Sequence, residues 1–297
     1  MEAVKKLDYH QNKLAIGLKT GRTNSLGLII PEITNMYYPN FEKHLEEYAS
    51  QNGYMVYLCN TNYDLETEKK FVENLCLKKV DGIIIVPCSN EYKHIMKLKD
   101  LGVPYVCVNR NFNNDIEHCV QTNNFKAAYE CITYLIDQGH RKISGIFQSF
   151  NNMIYEERYI GMVAAMKDRG IPLNQENILF NVDDLDNSDQ IIEKMLRKKN
   201  RPEAVFTSND MLAFSVYKAA YNCGLKIPDD LSVVGYDSIM IADKIIPPLT
   251  SYYTPVKELA HACVMHICAS INGEPLKKFP LFEGKLEVRD SVKKKIL

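Results

Sequence analysis

Short apolar runs alternate with amphipathic stretches along most of the chain, and this alternation constrains the fold more than any other feature. The runs fall at residues 26–31, 55–60, 82–87 and 105–109, with a shorter one at 119–122. Between them, residues 38–52, 65–79, 91–101 and 125–138 carry apolar side chains at helical spacing. In the second of these, Leu65, Phe71, Val72, Leu75 and Cys76 face inward. Gly53 and Gly139 sit where a helix ends in a left-handed residue. The pattern then restarts. Strand-type runs fall at 142–147, 178–180, 204–210, 231–237, 250–253 and 286–289, and helical stretches at 155–169, 189–198, 211–223 and 256–272. Strands apolar on both faces, alternating with helices, predict parallel sheets covered on both sides. Two such series predict an α/β chain of two Rossmann-like lobes with parallel sheets and right-handed crossovers.

In open sheets of this kind, ligands sit beyond the carboxyl ends of the strands. With two lobes facing each other, the expected site is the cleft between them. After the first strand come Tyr37 and Tyr38, which serve either as core packing or as a stacking platform for a ring or sugar face. Asn123 and Asn124 follow the fifth strand, and Arg158 stands early in the second lobe's first helix. An Arg there is either a surface charge or a fork for hydroxyls or a carboxylate. After residues 204–207 comes Ser208-Asn209-Asp210. Asp210 reads as the helix N-cap, which leaves Asn209 free to donate and accept. Asp237 ends the next strand and can accept from hydroxyls. One Arg, one Asp, amides and two tyrosines around one cleft is the chemistry of polyol recognition. Replacing Arg158 or Asp237 with Ala is expected to abolish ligand binding while leaving the thermal midpoint of the free chain nearly unchanged.

Composition narrows the class. The chain has 297 residues, is 46% apolar and 25% charged, and carries a formal net charge of −1. No stretch of about 18 apolar residues is present, which excludes a membrane-spanning helix. The first residues lack both the apolar core of a secretory signal and a cysteine for a lipid anchor. Nine scattered cysteines, none in a C-x-x-C pair, read as reduced thiols of a cytoplasmic protein. His261, Cys263, His266 and Cys268 are zinc-ligand types, but on one helix they point to opposite sides, so no metal is expected. A glycine-rich G-x-G-x-x-G turn and a nucleophile elbow are both missing, so an enzyme is not expected, nor any cofactor.

Positive charge is concentrated in residues 1–22, where Lys5, Lys6, Lys13, Lys19 and Arg22 face only Glu2 and Asp8. Within YHQNKLAIGLKTGR, residues 9–22, Asn12, Ala15 and Leu18 recur at every third position and share a helical face. A basic segment with one leucine is either a solvated tail or a minor-groove wedge with cations on phosphates.

The pattern Tyr9-x-x-Asn12-x-x-Ala15-x-x-Leu18, followed by Gly21-Arg22-Thr23-Asn24, resembles the hinge of LacI/GalR-family transcription regulators. The resemblance continues through VDGIIIVP at 80–87, LIDQGHRKI at 135–143, Arg158-x-x-Gly161, FTSND at 206–210, LSVVGYD at 231–237, PPLTS at 247–251 and EVRDSV at 287–292. It implies a fold like the type I periplasmic binding proteins and a homodimer closing on a small effector, a sugar or related metabolite. It implies operator DNA as the partner of the full-length regulator, with Leu18 as the minor-groove wedge. The implied domains are residues 1–22 as headpiece remnant and hinge, 23–139 plus 254–274 as the N-terminal lobe, and 140–253 plus 275–297 as the C-terminal lobe. The implied effector residues are Tyr37, Tyr38, Asn123, Arg158, Asn209 and Asp237. Asp183 joins them in a segment where relatives often place an aromatic lid.

The chain departs from the family pattern at Gln11, where proline is common, at Gly17 inside the hinge helix, and at Asn109 and Asn123, where aspartate is frequent. Residues 1–7 match only the end of the headpiece, so this stretch alone is expected not to read an operator. The function implied is the sensor of a repressor of carbohydrate-use genes. A sugar-binding protein of a transport system shares the fold, but would carry a signal or anchor and no basic hinge.

Overall fold

A computed structural model describes residues 22–110, 116–149, 153–182 and 185–295. The hinge residues Asn12, Ala15 and Leu18, and the pair Asp183 and Asp184, lie outside the described residues. The chain divides into two units. Residues 22–33, Asn40–Val120 and Leu259–Lys278 form the first, and Thr34–Pro39, Gln121–Glu258 and the chain from Phe279 onward form the second.

The first unit is built on strands β1 (Ser25–Ile30), β2 (Met55–Asn60), β3 (Gly82–Ile85), β4 (Tyr105–Val108) and β5 (Cys119–Val120), in the order β2-β1-β3-β4-β5. Every pairing is parallel. β1, β3 and β4 are buried along their whole length, as strands covered on both faces must be. Helix α1 (Tyr37–Gln51) follows β1. Helices α2 (Leu65–Leu77) and α3 (Lys93–Asp100) set Val72, Leu75, Ile95 and Leu98 against Ile29, Ile83 and Ile85. Gly27 lets α2 approach, since a Cβ there would meet Leu75 Cδ1 at 2.5 Å. The inward set expected on α2 is changed at one place: Glu68 is fully buried, where it accepts from Cys88 N at 2.7 Å and pairs with His94 Nε2 at 2.8 Å.

The second unit holds β6 (Ile143–Ile146), β7 (Ile178–Leu179), β8 (Ala204–Thr207), β9 (Ser232–Asp237), β10 (Thr250–Tyr253) and β11 (Lys285–Glu287), in the order β11-β10-β9-β8-β6-β7. The pairings are parallel except the last. β11 runs antiparallel to β10, an exception to the expected parallel sheet that closes its outer edge. The strand period of two sorts side chains onto two cores. Ala204, Phe206, Val234 and Tyr236 join α4 (Asn124–Asp137) and α5 (Met153–Asp168) on one face. Val205 and Val233 join α6 (Leu185–Leu196) and α7 (Asp210–Asn222) on the other. A last helix, α8 (Val256–Ile271), follows β10 and supplies Ile267 beside Gly82.

Gly161 explains part of the Arg158-x-x-Gly161 motif. A Cβ there would lie 2.2 Å from the Phe125 carbonyl oxygen, so α4 and α5 can come this close only over a glycine. No helix among the described residues is long and apolar enough to cross a membrane. Among the same residues, no three His, Cys, Asp or Glu side chains gather as a metal site.

Candidate functional site

The carboxyl ends of β6, β8 and β9 place Gln148, Ser208, Asn209 and Asp237 together in the second unit, and α5 brings Arg158 to them. Arg158 is 5% exposed, so it is no surface charge. Its Nε donates to Asn124 Oδ1 at 3.0 Å, and its Nη1 donates to the Ser208 carbonyl. The guanidinium carbon lies 3.4 Å from the centroid of the Tyr236 ring, a cation–π contact in a dry setting. The Tyr236 hydroxyl donates to the same Asn124 oxygen at 3.1 Å. Arg158 is therefore fixed on three sides by protein. This corrects the expectation that its removal leaves folding untouched.

The fourth side faces Asp237. Arg158 Nη2 lies 3.9 Å from Asp237 Oδ1, beyond hydrogen-bond reach but well within the range of its field. Asp237 is 7% exposed, and the shortest hydrogen bond its carboxylate accepts comes from Thr254 Oγ1 at 3.5 Å. It closes β9 with φ +100°, and Ser238 follows at +47°. Two successive left-handed non-glycine residues mark a held, strained turn. Burial pushes the Asp237 carboxyl up to about 7, against the pull of Arg158 and Thr254. Asp210 behind it is pushed up to about 8 by burial and by the charge of Asp237, while bonds from Ser251 and Ile239 act in the opposite direction.

The helix start at α7 differs from expectation by one residue. Asn209, not Asp210, is the N-cap, and its Oδ1 accepts from Leu212 N at 2.9 Å. Its Nδ2 donates to Gln148 Oε1 at 2.7 Å, an oxygen that also accepts from the Tyr155 hydroxyl at 2.5 Å. Asp210 turns inward instead. Its Oδ1 accepts from Ser251 Oγ at 2.6 Å and its Oδ2 from Ile239 N at 2.8 Å. Gly235 makes room for it, since a Cβ there would meet Asp210 Oδ1 at 2.1 Å.

A similar one-residue offset separates Asn123 from the cluster. Asn123 caps α4 by accepting from Lys126 N at 3.0 Å, and its amide donates to Glu283 at 3.3 Å. Its neighbour Asn124 is the buried amide that holds Arg158, and it also donates to Glu157 Oε2 at 3.1 Å. Tyr37 and Tyr38 are buried, with ring centroids 5.2 Å apart at 85°, an edge-to-face pair rather than two parallel faces. Tyr37 is near enough to act on the Arg158 guanidinium. Asn124 was named from the sequence beside Asn123 but given no role of its own, and Gln148, Tyr155 and Tyr236 were given none either. Gln148 alone had a usable signal, since it directly follows a strand.

The profile of periplasmic binding proteins and the sugar-binding domain of the LacI family matches residues 23–276. The HTH-type transcriptional repressor PurR of Vibrio vulnificus is 31% identical over 298 residues, covering 99% of this chain and 89% of that protein. The ribose operon repressor of Halalkalibacterium halodurans is 30% identical, covering 99% and 87%. The crystal structure of transcription regulator CcpA of Lactococcus lactis superposes with a TM-score of 0.82 at 25% identity, over 91% of this chain and 99% of that one. The chain belongs to the LacI family, and its two α/β units form the ligand-sensing core of a transcription regulator. These relatives are regulators of transcription, and the transport-protein reading is not favoured.

Proposed function

We propose that this chain senses a sugar or sugar-like polyol and transmits its binding to a DNA-binding hinge, as the core of a repressor of carbohydrate-use genes. The carrying observation is a firmly held Arg158 whose Nη2 lies 3.9 Å from Asp237, a carboxylate that accepts one long hydrogen bond among the described residues. A buried carboxylate with one long hydrogen bond has lone pairs to offer, and hydroxyl donors fill them. Asn209 and Gln148 supply amides beside it, and Tyr37 an apolar ring. The effector set in this reading is Tyr37, Tyr38, Arg158, Asn209 and Asp237, with Asn124 in place of Asn123 as the amide nearest the arginine. In this reading Asn12, Ala15 and Leu18, which lie outside the described residues, contact the operator, and the working regulator is a cytoplasmic homodimer.

An effector acts here only through its differential affinity for two arrangements of the chain. Coupling of about 1–3 kcal/mol suffices for a useful response. The test is a thermal-shift screen of the purified chain against aldoses, polyols, sugar phosphates and nucleobases. A ligand at about 100 times its dissociation constant adds roughly 2.7 kcal/mol to the stability of the chain. Hits confined to hydroxyl-rich ligands support the reading, and hits confined to nucleobases overturn it.

A further inference from the structure

β6, β8 and β9 carry the candidate ligand residues at their carboxyl ends, and their amino ends border a second polar feature. There a cavity of about 310 Å³ opens in the second unit, between Lys142 ahead of β6, Arg201 ahead of β8 and the chain that follows β11. That volume is at the lower end of the range of small-molecule sites, about 300–1,000 Å³.

The charges around it are unevenly used. Glu203 accepts from Arg141 N at 2.5 Å, from Lys142 N at 3.0 Å and from the Lys295 ammonium. Although burial opposes it, these bonds hold that carboxyl down at about 2, so Glu203 has little left to offer. Asp229 takes the Lys293 ammonium at 2.9 Å. Lys142 and Arg201 have no such partner. The Lys142 ammonium reaches only the neutral Asn200 amide oxygen, at 2.9 Å. Arg201 spends Nη1 on the carbonyls of Asp230 and Pro202, at 2.9 and 3.3 Å. Its Nε and Nη2 have no hydrogen-bond partner among the described residues, nor has either cation an ion pair there. Against these two cations stands one carboxylate, Asp230, which accepts from Lys226 N at 2.9 Å.

His140 adds an unmatched acceptor to the cavity wall. It lines the cavity, is 2% exposed, and directs Nε2 at the Lys293 carbonyl at 3.0 Å, so Nε2 carries the proton. Its Nδ1 is buried with no hydrogen-bond partner. As an acceptor, Nδ1 is matched by an O–H donor, such as the P–O–H of a monohydrogen phosphate or a ligand hydroxyl, and not by an anionic oxygen.

We propose that this cavity is a second, anion-binding site, which takes a phosphate group between the Lys142 ammonium and the open Nε/Nη2 edge of Arg201. The open edge of a guanidinium fork matches two oxygens of one tetrahedral anion, and an ammonium adds an orientation-tolerant charge. The proposal is independent of the sugar reading, because it uses the opposite ends of the strands.

The test is calorimetric titration of the whole chain with inorganic phosphate and with glycerol 3-phosphate, at ionic strength held constant with sodium chloride. Saturable one-to-one binding is expected, weakened about tenfold or more in Lys142→Gln and in Arg201→Gln, since each loses a charge-assisted contact. Tighter binding of the ester identifies a phosphorylated metabolite as the ligand, and equal binding identifies the free anion. Absence of saturable binding of both overturns the site. So does binding that persists in the Lys142→Gln/Arg201→Gln double variant, which would put the anion elsewhere in the chain. If circular dichroism finds the variants unfolded, the His140 imidazole resonances of the unaltered chain decide. Movement with phosphate but not with chloride supports the site, and no movement overturns it.

Discussion

Arg158 sits over the Tyr236 ring, its guanidinium carbon 3.4 Å from the centroid, and both side chains bond the same oxygen of Asn124. A charged group held in this way by an aromatic face and an amide does not need a ligand to stay in place. It is preorganised, and ordering it adds little cost at the moment of binding.

Arg158→Ala should therefore lower stability as well as abolish ligand binding. Truncation leaves the Ser208 carbonyl and the Asp237 charge without their partner and removes one of the two donors to the Asn124 oxygen, and a loss of about 2–4 kcal/mol is expected. Urea unfolding measures it. A change below about 0.5 kcal/mol, the level of ordinary surface substitutions, would mean that the arginine is not built into the core.

Asp237→Asn should separate stability from function. Among the described residues the carboxylate is buried with one long hydrogen bond, so ionising it opposes folding, and the neutral amide removes that cost. At pH 8 the variant is expected to be as stable as the parent or more so, while hydroxyl ligands bind at least about tenfold more weakly. Parallel unfolding and binding measurements check this. A variant that loses stability and keeps its affinity would make Asp237 a structural residue.

The pH dependence follows with a definite sign. Asp237 and Asp210 are raised from 3.8 to about 7 and about 8, burial being the main cause in both. Between 3.8 and those values the folded chain holds protons that the unfolded chain has released, so stability falls as pH rises. The contribution of the two groups is complete below about pH 4 and is lost progressively as pH passes through 7 and 8. Unfolding free energies at pH 5.5, 7 and 8.5 should decline in the parent more steeply than in Asp237→Asn. Parallel slopes would remove Asp237 from the account.

Gly161→Ala should act on the site without touching it. The new methyl would press on the Phe125 backbone, which cannot yield as a side-chain tip can, and α4 must move away from α5. Because α4 carries Asn124 and α5 carries Arg158, the bond between them should lengthen. A stability loss of about 1–3 kcal/mol is expected, together with weaker ligand binding. Wild-type affinity in a destabilised Gly161→Ala chain would show that the α4–α5 contact does not position the arginine.

The layered architecture was legible because a covered parallel strand leaves an unmistakable apolar run, and β2 and β10 fall on the residues expected of them. Arg158, Asn209 and Asp237 were legible because strand ends and the helix starts beside them are where such sheets present polar groups. What was not legible turns on single-residue phase. Asn123 and Asn124 are chemically identical, and only the exact start of α4 decides which caps the helix and which meets Arg158. The same phase exchanged the roles assigned to Asn209 and Asp210. Tyr155 emerges only with the three-dimensional pairing of β6 and β8, and Gln148 offered no more than its place directly after a strand. The antiparallel course of β11 has no local signal, since the pleat of a strand looks the same in either direction.

The most direct test of the central claim is calorimetric titration of the sugar that shifts the melting point most, at pH 6 and pH 8, on the parent and on Asp237→Asn. A hydroxyl that donates to Asp237 favours the ionised carboxylate, so binding releases a proton. The account predicts parental affinity that rises between pH 6 and pH 8, and a weaker, pH-independent affinity in the variant. Affinity that falls with pH, or an identical profile in both chains, would contradict the assignment of Asp237 as the hydroxyl acceptor.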